Sequence, residues 1–128
     1  MRLLESGEMY LETILILSQK MELVRAIDVG EYMGYSKPSV SRALSNLREG
    51  GYVTVDSDGH LSLTESGLDI ANKIYERHRV LSTLLTQIGV PEDIAAGDAC
   101  KIEHDLSDET IQCLMRHLEQ YGIKTDEQ

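Results

Sequence analysis

The sequence predicts a mainly α-helical protein with one small β-hairpin, organised as a winged helix-turn-helix followed by a helical domain. Three observations predict it. The stretch "YVTVDSDGHLSLT" alternates apolar and polar residues on both sides of Asp58-Gly59, which is a strong hairpin signal. Just before it, two helical patterns meet at a tight turn marked by Gly34. After Thr64 the apolar residues recur at helical spacing.

Residues 5–19, "ESGEMYLETILILSQ", place Met9, Leu11, Ile14, Leu15 and Leu17 as the apolar positions of a first helix. Residues 26–34, "AIDVGEYMG", read as a short helix that ends at Gly34, a C-cap glycine. In "YSKPSVSRALSNLREGGY", Ser36 is a good N-cap and Pro38 suits the first turn. Val40, Ala43, Leu44 and Leu47 form the apolar stripe of this helix, and Gly50-Gly51 ends it. In the hairpin, Val53 and Val55 face one way, as do Leu61 and Leu63 on the return. Thr64 caps a long helix running to Gly89, about 36 Å at ~1.5 Å per residue. Pro91 opens a further helix, "PEDIAAGDACKIEHDL", and Ser107 caps a last one, "DETIQCLMRHLEQYG". The tail "IKTDEQ" is polar and reads as loose. The reading divides the chain into residues 1–74, a winged-helix domain, and 75–128, a helical domain.

Composition sets limits on function. With no Trp or Phe, the core has to be aliphatic, helped by six Tyr. No apolar run approaches the ~18 residues of a membrane span, so no membrane partner is expected. The N-terminal "MRLLESGEMYLE" turns acidic too soon for a signal peptide, and two Cys thirteen positions apart make no disulfide framework. A reducing cytoplasm is the expected location. The net charge of −10 is uneven. Residues 1–80 carry nine Lys/Arg against twelve Asp/Glu, giving −3, and residues 81–128 carry three against ten, giving −7. Phosphate contacts need cations, so a DNA-binding reading has to answer this acidity.

In a helix-turn-helix the second helix enters the major groove with its N-terminal residues on base edges. Here that end is Ser36, Lys37, Pro38 and Ser39, with Ser41, Arg42 and Asn46 along the outward face. Hydroxyls suit phosphates, Arg42 can donate to a guanine edge, and Pro38 can touch a thymine methyl. The competing reading is a winged helix used for protein contact. In the last helix, Ile111, Leu114, Met115 and Leu118 form a stripe too apolar to leave in water, which points to a homodimer across a two-fold axis.

Within "AGDACKIEHDLSDE", Cys100, Glu103 and His104 stand at i, i+3 and i+4, one face of a helix. Thiolate, carboxylate and imidazole are metal ligands. A packed Cys, a solvated Glu and a surface His would give the same spacing without a metal. Two further sets raise the metal reading: Met9 and Glu12 share a face of the first helix, and His78 lies on the long helix. A two-domain helical protein can bring three such helices together. Of the remaining candidates, His60 sits on the hairpin, His117 reads as solvated and Cys113 as packing in the last helix.

With these motifs in place, the sequence resembles the metal-dependent transcriptional repressors of the diphtheria toxin repressor and MntR family, over nearly the whole chain. "GEMYLETI" is similar to that family's first helix, and "AIDVGEYMGYSKPSVSRALSNLREGGYV" to its helix-turn-helix. "LSLTESGLDIANKIYERHRVLSTLL" resembles its wing exit and connecting helix, and "GDACKIEHDLS" its metal helix. The resemblance implies a winged helix joined to a helical dimerisation domain, activated by Fe²⁺ or Mn²⁺ and binding double-stranded operator DNA as a homodimer. It implies Met9, Glu12, His78, Cys100, Glu103 and His104 as ligands. Met9 and Cys100 match the iron-type branch, whereas Glu12 matches the manganese-type branch. The ancillary site of the iron branch has acidic and His ligands where this chain has Ser82 and Ala96, so that site is not expected in its usual form. The SH3-like domain of the iron branch is not expected either, as the sequence stops at Gln128.

Two copies carry −20, twice −10, and each divalent ion bound adds two positive charges, which answers the acidity objection. Switching a population from ~1% to ~99% competent requires ~10⁴-fold tighter metal binding to the competent form. Soft thioether and thiolate ligands favour metals after Mn²⁺ in the Irving–Williams order, so Fe²⁺, Co²⁺ or Ni²⁺ is expected to bind more tightly than Mn²⁺; among these the resemblance implies Fe²⁺, with Co²⁺, Ni²⁺ or Zn²⁺ possible in vitro. Two other functions stay open at this level. One is a winged-helix regulator of another stimulus, with an incidental Cys-Glu-His face. The other is a metal-dependent hydrolase, which needs an open coordination position and a base; no second catalytic motif is present, and the reading is of a non-enzyme.

Overall fold

The computed structural model describes residues 5–121, and the polar tail read as loose lies outside them. The elements run α1 (Glu5–Lys20), β1 (Val24–Arg25), α2 (Ala26–Met33), α3 (Lys37–Glu49), β2 (Val53–Val55), β3 (His60–Leu63), α4 (Glu65–Gln87), α5 (Glu92–Ile102) and α6 (Asp108–Gln120). They divide into two compact units, Met1–Asn72 and Lys73–Gln128, and the division falls inside α4.

The first unit is built on the predicted winged helix. Leu11, Ile14, Leu15 and Leu17 of α1 are buried, together with Val29 of α2 and Val40, Leu44 and Leu47 of α3. Full burial of such side chains contributes ~1.5–3 kcal/mol each. Gly34 takes φ +73° and its N–H donates to the Gly30 carbonyl at 2.9 Å, so α2 stops where the sequence places its C-cap. Ser36 caps α3: its Oγ accepts from the Ser39 N–H at 3.3 Å and donates to the Ser39 Oγ at 2.9 Å. Pro38 sits in the first turn, where no N–H is needed.

The wing is larger than a hairpin. A two-residue strand, β1, adds to it, giving an antiparallel sheet of order β1-β3-β2. Val24 pairs with Leu61 and Arg25 with His60, while Val53 pairs with Leu63 and Val55 with Leu61. Two residues show no alternation, so β1 left no periodic signal in the sequence. Its Arg25 also leads into α2, where the Asp28 carboxylate accepts from the Arg25 N–H at 2.9 Å. At the wing tip, Asp56 Oδ1 accepts from the N–H groups of Asp58 and His60, both at 2.9 Å, and Gly59 takes φ +85°. These bonds, the His60 N–H first, hold the Asp56 carboxyl below its ordinary pKa.

In the second unit, Leu81 of α4, Ala99 of α5 and Ile111 of α6 form a buried cluster, with Leu106, Leu114 and Met115 packed against it. The dimerisation stripe read from the sequence is therefore partly consumed within the chain. Ile111 and Leu118 are buried, and Leu114 and Met115 are half-buried. Cys113 was expected to pack, but it is exposed and its Sγ accepts from Arg116 Nη2 at 3.1 Å. It points away from the stripe because Ile111 and Leu118 take the inward direction of α6.

Helix α5 also departs from expectation. It ends at Ile102, with Glu103 as its C-cap: Glu103 keeps helical backbone angles (φ −61°, ψ −25°) and donates its N–H to the Ala99 carbonyl at 2.9 Å, while His104 lies on the turn that follows. Arg77 of α4 holds the segment beyond this end. Its Nη1 donates to the carbonyls of Glu103, at 3.0 Å, and of Leu106. A side chain thus satisfies carbonyls that follow the helix end, and Ser107 caps α6 by accepting from the Thr110 N–H at 3.2 Å.

Candidate metal centre and nucleic-acid interface

Among the candidate ligands, Met9 and Glu12 stand three residues apart on α1 in the first unit, Met9 half-buried and Glu12 buried. In the second unit the fold brings His78 of α4 together with Glu103 and His104 of the turn. His78 Nδ1 lies 2.9 Å from Glu103 Oε2, and His104 Nε2 lies 3.5 Å from Glu103 Oε1. Cys100, half-buried, sits in the last turn of α5, three residues before Glu103.

Burial decides between the readings of this cluster. The side chain of Glu103 has no exposed surface, and that of His104 retains 1%. A solvated Glu beside a surface His is thereby ruled out. Taking a carboxylate from water is costly unless its oxygens are satisfied. One oxygen faces the His78 imidazole, but Glu103 Oε1 has no hydrogen-bond partner. In the tautomer that donates Nδ1–H to Glu103, His78 Nε2 keeps its lone pair. A buried oxygen without a proton donor, beside imidazole nitrogens, is a donor set that a divalent cation satisfies. The residues fit the metal that the resemblance implies.

The positions tied to an ancillary site lie on a cavity of about 220 Å³ between α4 and α5. Its lining includes His78, Ser82, Glu92 and Ala96. Ser82 and Ala96 supply neither carboxylate nor imidazole there.

In the first unit, Ser36, Lys37, Pro38, Ser41, Arg42 and Asn46 are all exposed on α3, and Ser39 is half-buried in its capping bond. The opposite face carries the buried Val40, Leu44 and Leu47. The candidate DNA contacts thus form one solvent-facing surface. Sequence reading did not single out two further features of the first unit. Tyr35, in the turn ahead of α3, is exposed and tilts against Tyr10 with ring centroids 6.1 Å apart. On the sheet, Arg25 Nη2 lies 3.2 Å from His60 Nε2, while His60 Nδ1 meets Asp56 Oδ2 at 3.1 Å. The Arg25–His60 pair follows from the β1 register, and β1 had no signal of its own. Among the described residues no helix is long and apolar enough to cross a membrane.

Residues 2–61 match the model of the iron-dependent repressor N-terminal DNA-binding domain. Residues 64–125 match that of the iron-dependent repressor metal-binding and dimerisation domain. The chain belongs to the iron-dependent repressor family. Within this family it is 32% identical to the iron-dependent repressor IdeR of Mycobacterium tuberculosis over 117 residues, 91% of this chain but 51% of IdeR. The chain thus spans about half the length of that relative. It is 30% identical to an HTH-type transcriptional regulator of Methanocaldococcus jannaschii over 122 residues, covering 94% of this chain and 98% of the other. A solved manganese-dependent transcriptional repressor in complex with manganese superposes with a TM-score of 0.82 at 28% identity, over 88% of this chain and 52% of that one.

Proposed function

We propose that this member of the iron-dependent repressor family is a cytoplasmic, homodimeric, metal-activated repressor of iron or manganese uptake genes. Its ligands in this reading are Met9, Glu12, His78, Cys100, Glu103 and His104. The observation that carries the proposal is the fully buried Glu103 carboxylate, with His78 and His104 against it and one oxygen lacking a hydrogen bond. A bound divalent ion supplies positive charge to an acidic chain. The residues themselves do the rest: Glu103 holds the His78 ring, and α3 presents Arg42 and its hydroxyls to the duplex. In this reading residues 1–74 read DNA and residues 75–128 bind metal and dimerise. The half-buried Leu114 and Met115 are the part of the α6 stripe left to face a second copy. The test is anaerobic metal titration followed by binding to DNA enriched from a random pool, with Mn²⁺, with Fe²⁺ and with chelator. DNA affinity that ignores the metal overturns the proposal and points to a regulator of another stimulus.

Arg42 is exposed on the outward face of α3. If its guanidinium pairs with a guanine, Arg42→Ala weakens specific binding by ~1–3 kcal/mol. If it meets phosphate, binding weakens evenly across sequences and the salt slope falls by about one. Titrations at several salt concentrations on specific and scrambled duplexes separate the two, and no change in either quantity displaces α3 from the interface.

Metal preference follows from the hybrid ligand set. With Met9 and Cys100 as soft ligands, Fe²⁺, Co²⁺ or Ni²⁺ binds more tightly than Mn²⁺; among these, the resemblance to the iron-type branch favours Fe²⁺ as the physiological ion. Replacing them with harder ligands, Met9→Asp with Cys100→Glu, shifts anaerobic competition between Fe²⁺ and Mn²⁺ toward Mn²⁺. A wild type that already prefers Mn²⁺, or a preference that does not move, removes these two residues from selectivity.

A further inference from the structure

Arg77 precedes the candidate ligand His78 on α4, and its side chain runs in another direction. The residue is 7% exposed. Its guanidinium makes three contacts with the segment that carries Glu103 and His104. Nη1 donates to the Glu103 carbonyl at 3.0 Å and to the Leu106 carbonyl, which stand at the two ends of the turn. Nη2 donates to the Asp108 carboxylate at the start of α6. Lys73, one helical turn earlier on α4, reaches the same carboxylate at 2.9 Å. These two cations, Lys73 first, hold the Asp108 carboxyl below its usual pKa.

The consequence is geometric. A turn held at its first and last carbonyls keeps in place the backbone from which the side chains between them project. Glu103 and His104 lie inside that interval, and His78, which meets Glu103 at 2.9 Å, comes from the α4 turn that supplies the clamp. The forked guanidinium suits this role: planar N–H groups in fixed directions can serve two carbonyls and a carboxylate at once, which a Lys ammonium on a flexible stem cannot hold in the same geometry.

We propose that Arg77, anchored by Asp108, is a positioning residue for the metal centre, orienting Glu103 and His104 through the backbone of their turn without touching the metal. This rests on the reading of Glu103 and His104 as ligands. Residues that orient ligands typically contribute 10–100-fold to metal affinity.

The test uses Co²⁺ as the probe, whose visible absorption reports coordination geometry, on the full chain under anaerobic conditions. Wild type, His104→Ala, Arg77→Gln, Arg77→Lys and Asp108→Asn are compared after circular dichroism and thermal unfolding identify the folded proteins. Arg77→Gln is expected to lose about 10–100-fold in Co²⁺ affinity with an altered visible spectrum. Arg77→Lys is expected to fall between it and wild type, and Asp108→Asn to show a smaller loss in the same direction. Folded Arg77 variants with wild-type affinity and spectrum overturn the positioning role. Should neither Arg77 variant fold, Asp108→Asn decides it by the same two readouts. A wild type that takes up no Co²⁺, or a His104→Ala protein that binds it equally well, overturns the ligand reading instead, so the two failures are told apart.

Discussion

Replacing His104 with Ala is expected to bring operator binding in excess Mn²⁺ or Fe²⁺ down to the metal-free level. The substitution removes an imidazole whose side chain is 1% exposed and stands 3.5 Å from the buried Glu103 carboxylate. The backbone of the turn should persist, because Arg77 holds the Glu103 and Leu106 carbonyls and neither bond involves the His104 side chain. The fold and the dimer are therefore expected to survive, with the loss concentrated in the switch. The expected size follows from linkage: a ligand that moves a population from ~1% to ~99% competent supplies ~5.5 kcal/mol of preference, and an incomplete site supplies far less. Fluorescence anisotropy on operator DNA with metal and with chelator reads the effect, and sedimentation and circular dichroism check dimer and fold. Equal DNA affinity for both proteins, with and without metal, would sink the activation model.

The largest structural effect is expected at Gly67. It is the third residue of α4, where Ala ordinarily favours a helix over Gly by ~1 kcal/mol. Tertiary structure reverses the sign. A Cβ on Gly67 would sit 2.1 Å from the Tyr52 carbonyl oxygen and 3.0 Å from its carbon. Neither partner is the movable end of a side chain. That same oxygen accepts from the Thr64 N–H at 3.0 Å, while Thr64 Oγ1 donates to the Gly51 carbonyl at 2.7 Å and accepts from the Gly67 N–H at 3.1 Å. The bonds join the end of α3, the start of the wing and the cap of α4, so relief of the clash has to move several of them. Overpacking of this kind typically costs ~1–3 kcal/mol and occasionally more. For a domain this small, each kcal/mol lowers Tm by ~4–8 °C, so Gly67→Ala should lower it by roughly 4–24 °C. Thermal unfolding followed by circular dichroism measures it, and an unchanged or raised Tm would mean that the junction yields freely.

The two substitutions mark where sequence reading reaches its limit. Local signals carried the first unit well. Gly34, Ser36, Pro38 and the Asp58-Gly59 turn act through caps and backbone angles set within a few residues, and the structure has them in those roles. The types of the candidate ligands were equally legible, since Cys100, Glu103 and His104 are neighbours in the chain and His78 follows the "ER" of a recognisable helix. What the sequence by itself determined, then, was the order of elements, the solvent-facing set on α3 and a short list of ligand-type residues.

Tertiary structure decided the rest, because it depends on groups far apart in the chain. The strand at Val24–Arg25 exists through its pairing with His60 and Leu61. Periodicity carried α5 on to Leu106, but the helix stops at Ile102, and Arg77, more than twenty residues upstream, takes the carbonyls of Glu103 and Leu106 beyond it. The stripe on α6 looked free for a partner, yet burial of Ile111 and Leu118 is set by what packs on them, which spacing does not record. Glu103 shows the limit most clearly. Its letter in the sequence is that of a residue usually found in water. Only the fold takes all of its surface from solvent and sets it against two imidazoles, with one oxygen lacking a hydrogen bond.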